Sequence, residues 1–357
     1  MSASESTLSP RRVRVWLSQK RRRRVGIIVL AIVVVILILG AVARSTPWPS
    51  ALIIRSVFEK GGAATVAEMN RHLPSGGPSL TERIGVQYGD GSEGDNTTLD
   101  AFRPAGGTDP LPVVVWVHGG AWISGSRTDV DPYLRILASH DYATVSLNYT
   151  IAPEAAYPTA LRQLNQALGY LVEHAGEFRI DPDRIVLAGD SAGAQLASQL
   201  ATIITNADYA HLLGITPSLN PSQLVGTVLN CGVYDLSTMA DLSGISAWGF
   251  KTALWAYTGT QNWSASYQGT TMSTINFVTK DYPPTYISGG NGDALTWIES
   301  IPMANRLTSL GVNVTPVFYA ADHEPALQHE YQFHLDDKDA QNALQKTLDF
   351  LAVATHS

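Results

Sequence analysis

Ser191 stands in Gly189-Asp190-Ser191-Ala192-Gly193, between an apolar run of strand type (Arg184 to Ala188) and helix formers at apolar spacing, Ala194, Leu196, Ala197 and Leu200. Gly-x-Ser-x-Gly in that setting lifts a serine hydroxyl out of a strained turn as a nucleophile. Gly189 and Gly193, two residues before and after it, let strand and helix approach closely. The hydroxyl then lies at the carboxyl edge of a sheet, beside the Ala192 amide at a helix N-terminus. Upstream, His118-Gly119-Gly120-Ala121-Trp122 follows the β-branched run Val113 to Val117. A glycine-rich turn leaving a strand aims consecutive amides at one point, as acyl transfer requires where negative charge develops on a carbonyl oxygen. Gly120, Ala121 and Ala192 are the expected donors. His118 and Gly119 shape the turn, and His118 is expected to make a structural hydrogen bond, since it precedes the turn.

A serine nucleophile needs a base, and the base needs an orienting group. Thr285 to Ser288 reads as a strand followed by Gly289-Gly290-Asn291-Gly292-Asp293-Ala294-Leu295, which puts Asp293 in a loop at a strand's carboxyl end. Helix capping is the competing use for such an aspartate. Beyond the strand Val314 to Tyr319 come His323 and His329, with His334 a third candidate. The order Ser, Asp, His is the one found with a nucleophile of this kind.

These motifs, with Asn148-Tyr149-Thr150-Ile151-Ala152-Pro153-Glu154 and Pro158 between the first two, resemble the hormone-sensitive-lipase-like carboxylesterases of the α/β-hydrolase fold. The resemblance runs from about Tyr88 to the C-terminus. The chain has Thr150-Ile151 where that family usually carries Arg-Leu, away from the chemistry. The resemblance implies an ester hydrolase with Ser191 as nucleophile, Asp293 in the family's Gly-x-x-Asp-x-Leu setting as acid, and a histidine after the last strand as base. His329 is the choice, because its gap to the closing helix is more like the family's; His323 is the alternative base. Small to medium apolar acyl esters are the expected substrates, turned over through an acyl-enzyme without a cofactor. An acyltransferase with the same triad and a non-catalytic binding module on the same fold are the rival readings.

The elements that must position these groups alternate. Ile84 to Tyr88 and Thr98 to Phe102 read as strands around a Gly-Asp-rich turn, Gly89 to Asp95. Val113 to Val117, Ala143 to Leu147, the elbow strand, Val225 to Leu229, Thr285 to Ser288 and Val314 to Tyr319 continue the series. Helices are expected over Tyr133 to Ser139, Ala160 to His174, Ile301 to Leu310 and Ala340 to Leu351. Apolar strands alternating with helices imply an α/β fold, a mostly parallel central sheet covered on both faces. Ser237 to Tyr282, rich in aromatics and without a clear strand, is expected to form a helical cap over the site.

Of 357 residues, 45% are hydrophobic and 15% charged, with a net charge of −7. Up to Arg24 there are eight Lys or Arg against Glu5 alone, a local charge of +7, so the rest of the chain carries −14. An acidic catalytic part is a poor nucleic-acid partner. Cys231, the single cysteine, excludes an intrachain disulfide and is expected to be a small buried hydrophobe. Asp322-His323-Glu324 and His329-Glu330 lack helical metal-ligand spacing, and no dinucleotide or P-loop fingerprint occurs, so neither metal nor cofactor is expected. Val25 to Ala43 is apolar throughout and rises about 28 Å as a helix, the depth of a bilayer core. The basic cluster before it predicts a cytoplasmic N-terminus and an extracytoplasmic catalytic domain. An uncleaved signal anchor is the preferred reading; Ala41-Val42-Ala43 resembles a signal-peptidase site, which makes a protein secreted after cleavage the alternative. The expected organisation is a basic segment 1–24, an anchor 25–43, a linker (Ser45 to Ser50) and amphipathic helix within 44–80, and one catalytic domain 81–357. Leu52, Ile53, Val57 and Phe58 are expected on one face of that helix (Ala51 to Leu73), and Trp48 at a membrane interface.

Overall fold

Val113, Val115 and Val117 pack on one side of their strand, Val114 and Trp116 on the other, and all five side chains are fully buried. Ile185 and Leu187 alternate in the same way with Val186 and Ala188. A strand that is apolar on both sides has to be covered on both, and that requirement decides the architecture. A computed structural model, which describes residues 10–76, 78–92 and 96–356, places eight strands in one sheet. These are β1 (Leu80–Gln87), β2 (Thr98–Pro104), β3 (Leu111–Val117), β4 (Ala143–Leu147), β5 (Ile180–Asp190), β6 (Leu224–Asn230), β7 (Thr285–Gly289) and β8 (Val314–Phe318). Their order is β1-β2-β4-β3-β5-β6-β7-β8. β2 runs antiparallel to β1 and β4, and the other pairs are parallel. The expected α/β-hydrolase fold is the fold found.

Helices Thr159–Glu173 and Ala192–Thr205 bury Leu164, Leu168, Leu196 and Leu200 on one face of the sheet. Helices Asp131–Ala138 and Lys338–Thr355 bury Tyr133, Leu137, Phe350 and Leu351 on the other. The adjacent β3 and β5 are central, and the turns leaving their carboxyl ends carry the two glycine-rich motifs. Between β6 and β7 the chain forms only helical turns, the longest Gly244–Thr258, in place of a strand. Tyr257, Trp263 and Tyr282 are buried there, whereas Trp248 is half exposed.

The chain divides into two units, Met1–Ser50 and Ala51–Ser357. The first contains the whole of helix α1 (Pro10–Ser45), whose apolar side chains from Val25 to Leu39 are exposed and which is long and apolar enough to cross a membrane. The expected linker Ser45 to Ser50 is shorter than the sequence suggests, because helix α2 (Trp48–Arg71) already begins at Trp48. The four apolar residues expected on one face of α2 share its outward side. Leu52, Ile53, Val57 and Phe58 are 45, 64, 62 and 42% exposed, while Ala51, Ile54 and Met69 are buried. Arg55 decides which side turns inward: its Nε donates to the Ile123 carbonyl at 2.5 Å, Nη2 to the Ala152 carbonyl at 2.8 Å, and the guanidinium pairs with Glu154. The expected turn Gly89 to Asp95 and the basic segment fall partly on residues 93–95 and 1–9, outside the described residues.

Candidate active site

β5 delivers Ser191 into a backbone that an L-residue rarely adopts, φ 51° and ψ −120°, with helix Ala192–Thr205 starting at the next residue. The turn is possible because Gly193 has no side chain: a Cβ there would overlap the carbonyl oxygens of Val117 and His118. Ser191 is buried, and its amide donates to the Asn230 carbonyl at 2.8 Å, which ties the elbow to β6. His329 Nε2 lies 2.8 Å from Ser191 Oγ, and His329 Nδ1 lies 2.7 Å from Asp293 Oδ2. The other oxygen of Asp293 accepts the Leu295 amide at 2.9 Å, so the two competing uses of this aspartate are divided between its two oxygens. Three residues far apart in the chain thus form one hydrogen-bonded series, with a hydroxyl at one end and a carboxylate at the other.

The other histidines are engaged elsewhere. His323 Nε2 pairs with Asp339 Oδ2 at 2.9 Å, and its ring packs against Tyr319. Its carbonyl accepts from Asn291 Nδ2 at 2.9 Å, so it braces the loop that carries Asp293. His334 Nδ1 is 3.1 Å from Glu68 Oε2. His118 is buried, stacks on Tyr149 and donates from Nδ1 to the Gly119 carbonyl at 2.8 Å. Burial pushes its pKa down to about 4 against the lift from that carbonyl, so it is neutral near pH 7.

The expected oxyanion donors sit on the turns on either side of Ser191. Gly120 and Ala121 both have positive φ, and the Gly120 carbonyl is turned back to accept the Ile123 and Ser124 amides. The amides of Gly120, Ala121 and Ala192 donate to no backbone carbonyl among the described residues. For Ala192 this follows from its place in the first turn of a helix, where amides lack intrahelical acceptors. Cys231 is fully buried, and burial pushes its thiol pKa well up.

Residues 99–306 match the BD-FAE family model. The chain belongs to the BD-FAE family. The match takes in Ser191 and Asp293 and ends before His329. Among curated relatives, carboxylesterase NlhH of Mycobacterium tuberculosis is 29% identical over 255 residues, covering 70% of this chain and 76% of the relative. A putative alpha/beta hydrolase, R526 of Acanthamoeba polyphaga mimivirus, is 27% identical over 224 residues, and this chain spans 61% of its length. The crystal structure of esterase B from Lactobacillus rhamnosis superposes with a TM-score of 0.72 at 21% identity, covering 86% of this chain and 96% of that one. This BD-FAE chain is a carboxylesterase-type α/β-hydrolase, similar to the hormone-sensitive-lipase-like carboxylesterases.

Sequence reading missed several groups around the site in this BD-FAE member. Asp190 is buried and accepts from Trp116 Nε1 at 2.7 Å and from the Gly119 amide at 2.9 Å, so it holds the glycine-rich turn against the elbow. Burial, and then the charge of Glu330, push its pKa well above the carboxylate range, with a side-chain hydrogen bond joining the two acids. Glu330 follows His329 with φ 60°, and its carboxylate reaches to 3.9 Å from His329 Nε2. Trp122 Nε1 donates to Gln195 Oε1 at 3.1 Å; Gln195 Nε2 donates to Gln199 Oε1 and to the Met272 carbonyl. That buried network, with Tyr257 stacked on Trp122, ties the aromatic insertion to the elbow helix. The signal was present in Asp190, Glu330 and Gln195 as polar residues inside apolar or motif segments, but only tertiary contact identifies their partners. Among the described residues no group of three or more His, Cys, Asp or Glu side chains is placed to hold a metal ion.

Proposed function

We propose that Ser191, His329 and Asp293 hydrolyse small to medium apolar acyl esters through an acyl-enzyme. The observation that carries this reading is the series Ser191 Oγ to His329 Nε2 at 2.8 Å and His329 Nδ1 to Asp293 Oδ2 at 2.7 Å. Ser191 Oγ attacks the acyl carbon while His329 takes its proton, and the amides of Gly120, Ala121 and Ala192 hold the oxyanion. The imidazolium then protonates the departing alkoxide, which leaves as the alcohol. Water, deprotonated by the same imidazole, attacks the acyl-enzyme and releases the acid and free serine. Asp293 keeps the tautomer with its proton on Nδ1 and stabilises the imidazolium. The aromatic insertion supports a preference for apolar acyl groups.

The same reading assigns residues 25–43 to a retained membrane anchor, with the basic segment 1–24 cytoplasmic and the catalytic domain, residues 81–357, on the far side. Ser191→Ala is expected to lower p-nitrophenyl butyrate turnover by roughly three orders of magnitude or more. A serine-directed phosphonate should label the wild type at Ser191. Labelling at another residue, or an alanine variant that still turns over, overturns the nucleophile. Addition of a competing alcohol tests the partition between hydrolysis and acyl transfer: ester product exceeding acid product replaces the hydrolase with an acyltransferase.

A further inference from the structure

The side of α2 that turns away from the core carries the largest run of exposed apolar residues in the folded part of the chain. Outside the apolar span, the exposed large hydrophobic residues among the described ones are Trp48, Leu52, Ile53, Val57 and Phe58, then single positions far apart in sequence, such as Leu212 and Val353. Trp48 and Leu52, and Ile53 and Val57, are i,i+4 pairs and so form two adjacent rows. Phe58 borders them, one turn beyond buried Ile54. Arg55, the strong cation within the stripe's span, is turned inward and paired with Glu154, and Lys60 lies at its far end. A half-exposed apolar strip on a helix, opened by a tryptophan and closed by a lysine, has the composition of an interfacial helix.

Chain connectivity supplies the second argument. Thr46 and Pro47 alone separate the end of α1 from the start of α2. A three-step link reaches at most about 10 Å and each helical residue adds about 1.5 Å, so Leu52 lies within roughly 16 Å of Ser45 and Phe58 within roughly 25 Å, whatever the angle between the helices. A bilayer's polar layer is about 5 to 8 Å deep on each side of its hydrocarbon core. The head-group layer lies inside these reaches, so the tether keeps the stripe at a high effective concentration beside lipid, which a free partner does not have.

We propose that Leu52, Ile53, Val57 and Phe58 are seated in the head-group layer of the bilayer that α1 crosses, making α2 a second membrane contact. This rests on the reading of α1 as a span. The contact bears on the site, because Arg55 on the same helix holds the Ile123 and Ala152 carbonyls and Glu154, and Ile123 follows Ala121 and Trp122 directly. The docked helix therefore grips the glycine-rich turn beside Ser191.

Cys231 is fully buried, so single surface cysteines on the full-length chain can be labelled selectively. Bimane would be placed at Leu37→Cys, Ile53→Cys, Val57→Cys and Val353→Cys in turn, with the protein in vesicles of phosphatidylcholine with or without bromine on the upper acyl chain. The expected result is about twofold quenching at positions 53 and 57 by the brominated lipid, with none at 353. Quenching at 37 but not at 53 and 57 overturns the docking and leaves the span standing. Absence of quenching at 37 removes the span and the proposal with it. An Ile53→Cys disulfide dimer in place of quenching assigns the stripe to a second copy of the chain and likewise overturns the proposal.

Discussion

Replacing Glu330 with glutamine should move the pH dependence of turnover, and the structure sets both direction and size. Burial works against the His329 imidazolium, but the hydrogen bond and charge of Asp293, with the charge of Glu330, raise its pKa to about 9. A base held that high is protonated at neutral pH and unable to accept the Ser191 proton, so kcat/KM should climb with pH up to an apparent pKa at or below about 9. Glu330 lies 3.9 Å from Nε2, a separation worth about 1 kcal/mol in water and about 4 kcal/mol at the effective dielectric near a protein surface. Both side chains keep about a third of their surface open to solvent, which favours the lower end, about one pKa unit. Removing the anion disfavours the imidazolium, so the pKa falls, free base appears at lower pH, and the acid limb shifts down. Asp190, relieved of its acidic neighbour, ionises more readily in the variant and returns part of the lost charge, which keeps the shift from exceeding that size. The assay is kcat/KM for p-nitrophenyl butyrate across about pH 5 to 10, where Glu330→Gln should be several-fold faster than wild type on the acid limb. A limb that stays in place or moves up refutes the reasoning, because the contact at 3.9 Å would then not favour the imidazolium.

Three further perturbations follow from particular contacts. His329→Ala should abolish ester turnover about as completely as Ser191→Ala, whereas His323→Ala, which loses a partly exposed pair with Asp339 and a ring contact with Tyr319, should keep most of the rate in a steady-state assay. Gly193→Ala forces a Cβ against two backbone carbonyls and should destabilise the fold by roughly 1 to 3 kcal/mol or more in urea unfolding, while Gly176→Ala, with nothing within 4 Å, should change stability by less than about 0.5 kcal/mol. Gln195→Leu strands Trp122 Nε1 and the Met272 carbonyl without partners and should cost roughly 3 kcal/mol in the same measurement.

The strands and the glycine-rich turns were legible because their causes are local. A β-branched run such as Val113 to Val117 can be little else than a buried strand, and the spacing of Gly189 and Gly193 reports a steric need within five residues. What escaped is set by partners distant in sequence. Periodicity along α2 distinguishes its rows of apolar residues but not which row meets the core, and Arg55 settled that by reaching carbonyls some 70 to 100 residues away. Nothing in the residues beside Glu330 points to Asp190, 140 positions earlier, and only the fold sets the two acids together. The place of His323 and His329 after β8 was legible, but not which of them the loop brings to Ser191. The loop carrying His329 back to Ser191 includes an Asn291 Oδ1 contact to the Leu327 amide at 2.9 Å that no spacing rule contains.

Backbone strain shows why these distant contacts matter to the chemistry. Among the described residues seven non-glycine ones have positive φ, and five of them, Ala121, Trp122, Ser191, Cys231 and Glu330, lie in the turns around the site. Each such conformation costs on the order of 1 to 3 kcal/mol and persists only where the surroundings over-determine it. Here they do: Ser191 N is held by the Asn230 carbonyl, Cys231 N by Ser288, Gly119 N by Asp190, and Glu330 by its hydrogen bond with the same Asp190. Asp190 is therefore the joint between the Ser191 turn, the glycine-rich turn and the loop that carries His329. A residue one position before Ser191 fixes all three, and its cost is a buried carboxyl that folds most favourably when protonated. That stabilisation is fully present below the unfolded carboxyl pKa and is lost as pH rises through the raised one, so the joint holds most firmly on the acid side.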